Sequence, residues 1–387
     1  MLLEFINIHE NWKELLSRSP YFIKIKQDGD YFLLKYDQLN SPHGDPLVNE
    51  CRGCIVYFDE EVNEWIYVCR PFTRFYNYGE ECAAKIDWKS ARVLEKVDGS
   101  LIKVWHHNGW HVSTSGMIDA EKSECGDFNY LELFLRAALL SRESWDKNYA
   151  NKISDDDLAW YHLNPQTTYL FELVSPLNKL VVPYESTELY YLGEINNMTG
   201  QEIYRPDGRF HSKEVKHFSD IYNLKDAIYA ANNITADDGE GFVVVDKYFN
   251  RIKIKGEDYL RHFYYRNNGV ITARRIITAM QEGWLDDLWS YNKDARQMIL
   301  SVLTKVTLVG SMFDAVFNTI QKGIYQDQKD YAAMVKMFPR QYHGYLFYAR
   351  KTNNIMKGSD WLLKTKNPSQ IIDIINSIAG ELGINGC

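Results

Sequence analysis

The stretch LEKVDGSLIKVW, residues 94–105, sets Lys96 and Asp98 two apart at the end of an apolar run and follows them at once with Gly99. A lysine presented this way is either a solvated strand-end charge or a nucleophile. Later runs place more charges in apolar company. Glu172 lies inside YLFELVSP, Glu240 opens EGFVVVD, and Lys253 and Lys255 alternate with Ile252 and Ile254, so both lysines share one strand face. Upstream, Arg52 leads into GCIVYF and Arg74 precedes the aromatic pair Phe75-Tyr76. A single charge in such a strand usually faces solvent. A set of them, each on a separate strand, can line one cleft. Cations there would hold phosphates, carboxylates would take ribose hydroxyls or a metal, and aromatic faces would sandwich a base, which suits a nucleoside triphosphate. Lys96 attacks phosphorus only after losing its proton. Lowering a lysine from its ordinary value near 10.4 by about 3 units costs roughly 4 kcal/mol, a demand that desolvation and several close cations can meet.

These side chains need strands to hold them, and the pattern supplies strands. YFIKIKQDGDYFLLKY is two alternating runs about Asp28-Gly29, CIVYFDEEVNEWIYVCR repeats the form around an acidic turn, and LIKVWHHNGWHVSTS does so at Asn108-Gly109. Residues 128–160 switch to helical spacing in FNYLELFLRAALLSRESW. Strands return at TTYLFELV, KLVVPY, LYYLGEI, EGFVVVD and RIKIK. After Lys255 the apolar residues recur at three and four, as in VITARRIITAM, ARQMILSVLTKV, SMFDAVFNTI, YAAMVKMF and PSQIIDIINSIAGEL, the last with Asn367 as N-cap and Pro368 at the first helical position. The expected fold class is α+β: antiparallel sheets with flanking helices over residues 1–256, then an all-helical domain over 257–387.

The totals agree with a folded chain of two domains. It has 387 residues, with 27 Tyr, 18 Phe and 10 Trp against 10 Pro. The net charge of −8 gives no global signal for nucleic acid, but it is uneven: 16 Lys+Arg face 12 Asp+Glu from residue 257 onward, against 28 and 40 before it. The six cysteines are Cys51, Cys54, Cys69, Cys82, Cys125 and Cys387. Cys51 and Cys54 have CxxC spacing, yet no second pair closes a zinc site, so buried free thiols are expected. The N-terminus carries Glu4 in its short apolar run, unlike a signal peptide, and no uncharged apolar stretch nears the ~18 residues of a membrane helix. A reduced, cytoplasmic, monomeric protein with no membrane contact is the expectation.

The order of elements resembles the covalent nucleotidyltransferases, which include ATP-dependent polynucleotide ligases and capping guanylyltransferases. LEKVDGSL resembles their lysine signature, FELVSP the third motif, GEGFVVV the fourth and RIKIKG the fifth. Within them NECRGCIVYF, RPFTRFYNYGE, FELVSPLNKLVVPY and IKIKGEDYL are similar to the phage-type RNA ligase 1 group, as is a helical tail of this size. DNA ligases and capping enzymes typically append an OB domain of short strands instead. The resemblance implies an adenylation domain that uses ATP and Mg²⁺ and joins RNA 5′-phosphate and 3′-hydroxyl ends, tRNA being the favoured substrate. It implies Lys96 as the adenylated lysine, Glu172 near the ribose, Glu240 near the α-phosphate and metal, Lys253 and Lys255 on phosphates, and Arg52 and Arg74 in the triphosphate site, Arg74 standing where lysine is usual. Tyr36 matches a tyrosine of the nucleotide pocket and Tyr259 one that matters for ligation. Asp286, in Asp286-Asp287-Leu288, resembles an acidic element associated with magnesium, or is a solvated helix end. Arg261, Arg266, Arg274 and Arg275 would fit a strand-holding domain, or the polar face of a helix.

One position departs from the pattern. In Ser113-Thr114-Ser115-Gly116 the group usually has a base just before the glycine, and Ser115 is neutral. Either His111 or another base compensates, or one phosphate contact is lost. Two readings compete with an RNA ligase: another lysyl-NMP enzyme (a DNA ligase or capping guanylyltransferase), or a non-catalytic nucleotide- or RNA-binding module on the same scaffold. Retention of Lys96, Glu172, Glu240, Lys253 and Lys255 together argues against the module.

Overall fold

The computed structural model describes residues 1–38, 40–138, 163–178, 181–265, 271–291, 295–321, 323, 328–352 and 356–382. The chain divides into two compact units, Met1–Arg266 and Asn267–Cys387. The helix Glu257–Tyr265, which follows the last strand and was expected to open the helical domain, therefore counts with the first unit.

The first unit holds three main sheets. The first has the order β1 (Ile23–Asp28), β2 (Tyr31–Tyr36), β3 (Arg52–Asp59), β4 (Glu64–Cys69), all antiparallel. The hairpin between β1 and β2 turns on Gly29-Asp30, with Asp28 opposite Tyr31 and Gly29 at φ 56°. The left-handed backbone there is what glycine allows and most residues resist. A second sheet orders β13 (Glu202–Ile203), β12 (Glu188–Asn196), β11 (Thr167–Val174), β7 (Ser100–His106) and β8 (Trp110–Thr114), with β14 (Lys213–Glu214) on β12. A third orders β5 (Tyr76–Asn77), β16 (Arg251–Lys255), β15 (Gly241–Val245) and β6 (Arg92–Glu95). The short pair β9 (Glu124–Cys125) and β10 (Phe128–Asn129) stands beside the helix Tyr130–Ala138.

Each sheet buries a face under helices, and the first and second also bury residues of their other faces. Trp12 and Leu16 of the N-terminal helices cover Leu34, Cys54 and Val56 of the first sheet. The helix Tyr130–Ala138 lays Phe134 on Phe171 and Tyr191 of the second. Ala227 and Ala231 of the helix Leu224–Asn232 cover Phe242 and Val244 of the third. Leu33, Ile55 and Val68 meet Trp105 and Ile118, joining the first sheet to the second. Gly53 sits at that joint with φ 90°, and a Cβ there would lie 2.4 Å from the carbonyl oxygen of Ser115. Only glycine lets β3 start so near the end of β8.

Two expected elements differ. KLVVPY forms no strand among its described residues 181–184 (Lys179 and Leu180 lie outside them) because its amides are used elsewhere, as shown below. The helical run from 128 is described only as Tyr130–Ala138; its expected continuation over 139–160 lies outside the described residues.

In the second unit ARQMILSVLTKV and SMFDAVFNTI lie on one helix, Arg296–Gln321. By length and composition this helix is long and apolar enough to cross a membrane. Lys305 and Asp314 interrupt it, and its stripe Ile299, Val302, Val306, Val309, Phe313 and Phe317 is buried within the unit. Asn367 caps the helix Pro368–Leu382: its side chain accepts from the Gln370 N–H at 3.0 Å, and the Gln370 side chain accepts from the Asn367 N–H at 3.2 Å. Arg275 is buried, so it is no part of a polar helix face; Arg274 shares its helix, and Arg266 lies outside the described residues.

Gly310 and Gly358 let two helices of this unit touch backbone to backbone. A Cβ on Gly310 would lie 2.3 Å from the amide nitrogen of Ser359. Gly310→Ala should therefore cost about 1–3 kcal/mol by overpacking, read as a lower urea midpoint for the helical transition followed by far-UV circular dichroism. An unshifted midpoint would show that these helices part without cost.

Candidate active site

The third sheet aligns the basic and acidic residues by register alone. Gly241 pairs with Lys255 and Phe242 with Glu95, and the Lys96 N–H donates to the Gly241 carbonyl at 2.8 Å. Lys96, Glu240 and Lys255 thus end three neighbouring strands at one level. Gly241 has φ 133°, and a Cβ there would fall 2.2 Å from the Ile254 carbonyl oxygen, so the close pairing beside Glu240 also demands glycine. The Glu240 carboxylate is buried and takes two ammonium groups: Lys96 Nζ on Oε2 at 2.5 Å and Lys255 Nζ on Oε1 at 2.7 Å. The Lys96 side chain retains 21% exposure, enough to meet a ligand from the open side.

The loop Lys96–Gly99 then crosses to the second sheet. Gly99 lies so close to β11 that a Cβ would be 2.6 Å from the Leu173 carbonyl oxygen and 2.7 Å from Glu172 Cγ. Its need for glycine is thus a close approach to the strand bearing Glu172. Asp98, left out of the expected site residues although it lies in the quoted motif, is buried and anchors this loop. Its Oδ2 accepts from the Val181 and Val182 N–H groups at 3.0 and 3.1 Å, and its Oδ1 accepts from the Tyr259 hydroxyl at 3.0 Å. Those two amides are the ones that KLVVPY does not lend to a sheet. Burial and the nearby Glu240 charge push the Asp98 carboxyl up, against the pull of Lys96, the Val182 amide and Tyr259. Tyr259 is itself buried, with the Lys255 ammonium 5.6 Å from its ring centre.

Glu172 faces the same space. Burial pushes its carboxyl up to about 7; Lys96 and Arg52 pull it down while Glu240 and Asp98 push it further up. Arg52, at the start of β3, stacks on Phe75 at 4.7 Å, and Lys253 sits over the same ring at 5.5 Å. The Arg52 Nη1 atom is buried without a hydrogen-bond partner. Such an orphan donor is costly unless a ligand meets it. Arg74 is buried and spans Tyr36 and Tyr76 at 4.1 and 5.0 Å, with one guanidinium nitrogen 3.0 Å from His43 Nε2. Tyr36 and Arg74 therefore pack on one another, and Tyr36 interacts electrostatically with Arg52.

The structure thus brings Lys96, Glu172, Glu240, Lys255 and Arg52 together, with Lys253 joined through Phe75, Tyr259 through Asp98, and Tyr36 and Arg74 beside Arg52. Asp286 lies in the second unit, half-buried in the first turn of the helix Leu285–Tyr291. Among the described residues no group of three or more His, Cys, Asp or Glu is placed to hold a metal. Cys51, Cys54, Cys69, Cys82 and Cys125 are free thiols, all buried except the half-exposed Cys82, and Cys387 lies outside the described residues. His111 does not stand in for a base at Ser115: it stacks on Trp105 at 4.2 Å and meets the His107 carbonyl through Nε2 at 2.9 Å. The amine beside Ser115 is that of Lys35, 3.5 Å from its hydroxyl. Lys35 and the fully buried Lys103, whose Nζ donates to the Gly53 carbonyl at 2.5 Å, were not singled out from sequence. Each is a single charge within an apolar run, Phe32-Leu33-Leu34-Lys35-Tyr36 and Leu101-Ile102-Lys103-Val104-Trp105, the same signal that marked Glu172.

A family model described as RNA ligase matches residues 50–260, more than half of the chain, and the chain belongs to that family. It is 27% identical over 380 residues to the "Putative bifunctional polynucleotide kinase/RNA ligase" of Autographa californica nuclear polyhedrosis virus, covering 95% of this chain but 52% of that one. It is 25% identical over 366 residues to an RNA ligase of Rhodothermus phage RM378, covering 78% of this chain and 79% of the phage protein. The chain thus spans about half the length of the viral relative. Among solved structures it is similar to an archaeal ATP-dependent RNA ligase, with 12% identity, a TM-score of 0.42, and 78% and 79% of the two chains covered.

Because the Glu172 carboxyl sits near 7, the native state keeps a proton there that the unfolded chain releases from about pH 4.5 upward. Stability of the ligand-free protein should fall as pH rises from about 4.5 to about 7, by at most about 3 kcal/mol from this group, and level off above. Glu172→Gln should abolish that difference, measured as the pH dependence of urea midpoints for variant against wild type. Parallel profiles would overturn the assignment.

Proposed function

We propose that the chain is an ATP-dependent RNA ligase working through a covalent Lys96–AMP intermediate. The observation that carries this reading is the shared Glu240 carboxylate. It holds Lys96 and Lys255 side by side at the open end of one sheet, facing Glu172 and the orphaned Arg52 donor. The nucleophile and the phosphate-binding cations are thus arranged before any nucleotide arrives.

In the first step Lys96 leaves Glu240 and gives up two protons to solvent, one to free its lone pair and one as the N–P bond forms. Its nitrogen bonds to the α-phosphorus of ATP, and the bond from that phosphorus to the pyrophosphate oxygen breaks. Lys253, Lys255, Arg52 and Arg74 hold the phosphates and draw charge toward the leaving group. Glu172 takes a ribose hydroxyl, with its neighbouring cations keeping the carboxyl available. Next, an oxygen of an RNA 5′-phosphate attacks the same phosphorus; the N–P bond breaks and the amine regains its two protons. Last, a 3′-hydroxyl loses its proton and attacks the RNA phosphate, forming the phosphodiester and releasing AMP. Tyr259 acts by fixing Asp98, and hence the loop that carries Lys96.

Mg²⁺ fits this donor set: it is commonly held by one or two carboxylates plus substrate phosphates, and Glu240 supplies the carboxylate. When bound it would spread the charge of the phosphates. A cytoplasmic role in RNA repair, on broken tRNA, and a strand-holding role for the second unit rest on the resemblance to the phage-type group.

Incubation with ATP labelled at the α-phosphate should leave label on the protein in a denaturing gel, and Lys96→Ala should carry none. Glu240→Gln should form it on the order of 100-fold more slowly, having lost the carboxylate that seats both lysines. Label from GTP instead of ATP would redirect the reading to capping, and sealing of DNA as fast as RNA would remove the RNA assignment.

A further inference from the structure

A second group of cations adjoins the site without being part of it as expected from sequence. Lys35 of β2 stands directly opposite Arg52 of β3 in the strand ladder. Like charges opposed across two strands destabilise a sheet. Among the described residues no carboxylate pairs with Lys35, and its amine meets the Ser115 hydroxyl at the long distance of 3.5 Å. The charges that act on it most strongly are positive: Lys103 from β7, Lys26 and Lys24 from β1, and Arg52 from β3. Burial and these neighbours bring its amine down to about 8. Lys24 is paired with Asp37 at 2.6 Å, and Lys26 donates to the Gly116 carbonyl at 2.6 Å, which fixes the loop beneath Lys35. Lys103 donates to the carbonyl of Gly53, next to Arg52. Lys35 and Arg52 are therefore cations at paired strand positions; Arg52 shares the Glu172 carboxyl, and its Nη1 has no hydrogen-bond partner among the described residues.

We propose that Lys35 and Arg52 together bind a phosphate group of the reaction, Lys35 supplying from β2 the cation that position 115 lacks. The charge is thus relocated between strands rather than lost. The phosphate belongs either to the ATP tail or to the RNA 5′ end, and this proposal rests on the lysyl-AMP reading above. A structural role for Lys35 predicts the opposite behaviour, because a desolvated cation among cations contributes nothing favourable to folding.

The test uses Lys35→Met, Lys35→Arg and the double variant Lys35→Met/Ser115→Lys. Lys35→Met should melt at or above the wild-type temperature and bind inorganic tripolyphosphate about tenfold or more weaker in calorimetry, as expected for loss of one charge-assisted contact. Lys35→Arg should bind as wild type, and the double variant should recover at least half of the lost affinity in free-energy terms. Two kinetic arms separate the sources. A raised ATP requirement for lysyl-AMP formation assigns the phosphate to ATP. A slowed transfer of AMP from isolated lysyl-AMP protein to 5′-phosphorylated RNA, with normal lysyl-AMP formation, assigns it to the RNA end. Lys35→Met that melts lower while every phosphate-dependent measurement stays within about twofold overturns the proposal, as does a double variant that recovers nothing. Wild type that takes no label from ATP would overturn the ligase reading itself, a result read before any variant is compared.

Discussion

One buried carboxylate organises the site. Glu240 is nearly sealed from water, and it is tolerated there because two ammonium groups close on its two oxygens. Removing both partners would leave an uncompensated charge in a low-dielectric setting, a cost of several kcal/mol, and removing one would leave a buried oxygen without its ammonium. The arrangement is therefore specified tightly: three strand ends must arrive at one level, and the register of β6, β15 and β16 delivers them. The two glycines that permit closest approach, Gly241 beside the carboxylate and Gly99 against β11, serve the same requirement on either side of Lys96.

A site built this way is stable where its charges cancel and costly where they do not. Around Glu240 and Asp98 they cancel, two carboxylates facing the ammonium groups of Lys96 and Lys255. Around Arg52 they do not: one of its nitrogens is buried without a partner, Lys35 opposes it, and Glu172 is held near 7 so that it offsets only part of the positive charge at neutral pH. Uncompensated charge of one sign in a partly enclosed cleft lowers stability and raises affinity for anions.

Much of this was legible in the sequence because strand alternation is a geometric rule. Lys253 and Lys255 share a face by period two, and Glu172 and Glu240 stand out as charges in runs otherwise made for burial. The limits are equally physical. KLVVPY has strand composition, but Val181 and Val182 give their amides to Asp98, a tertiary partner that no local pattern announces. Asp98 itself was quoted and passed over, since an aspartate before glycine reads as turn chemistry. The two stretches from Arg296 with helical spacing lie on one continuous helix, its Gly310 serving a backbone contact.

Lys35 and Lys103 show why composition of a single motif is a poor guide to the charge of a site. Ser115 looked like a missing contact because the chain was read one segment at a time. In three dimensions the end of β8 is bordered by β2, β3 and β7, and a flexible four-carbon lysine stem rooted on any of them can bring its ammonium to nearly the same point. Glycine at position 53 is what draws those strands within reach, by letting β3 start against the Ser115 carbonyl. What a phosphate responds to in such a cleft is the position of a positive charge, whichever neighbouring strand supplies it. A neutral residue at one motif position therefore says little about lost chemistry until the strands packed around it have been inspected for a replacement.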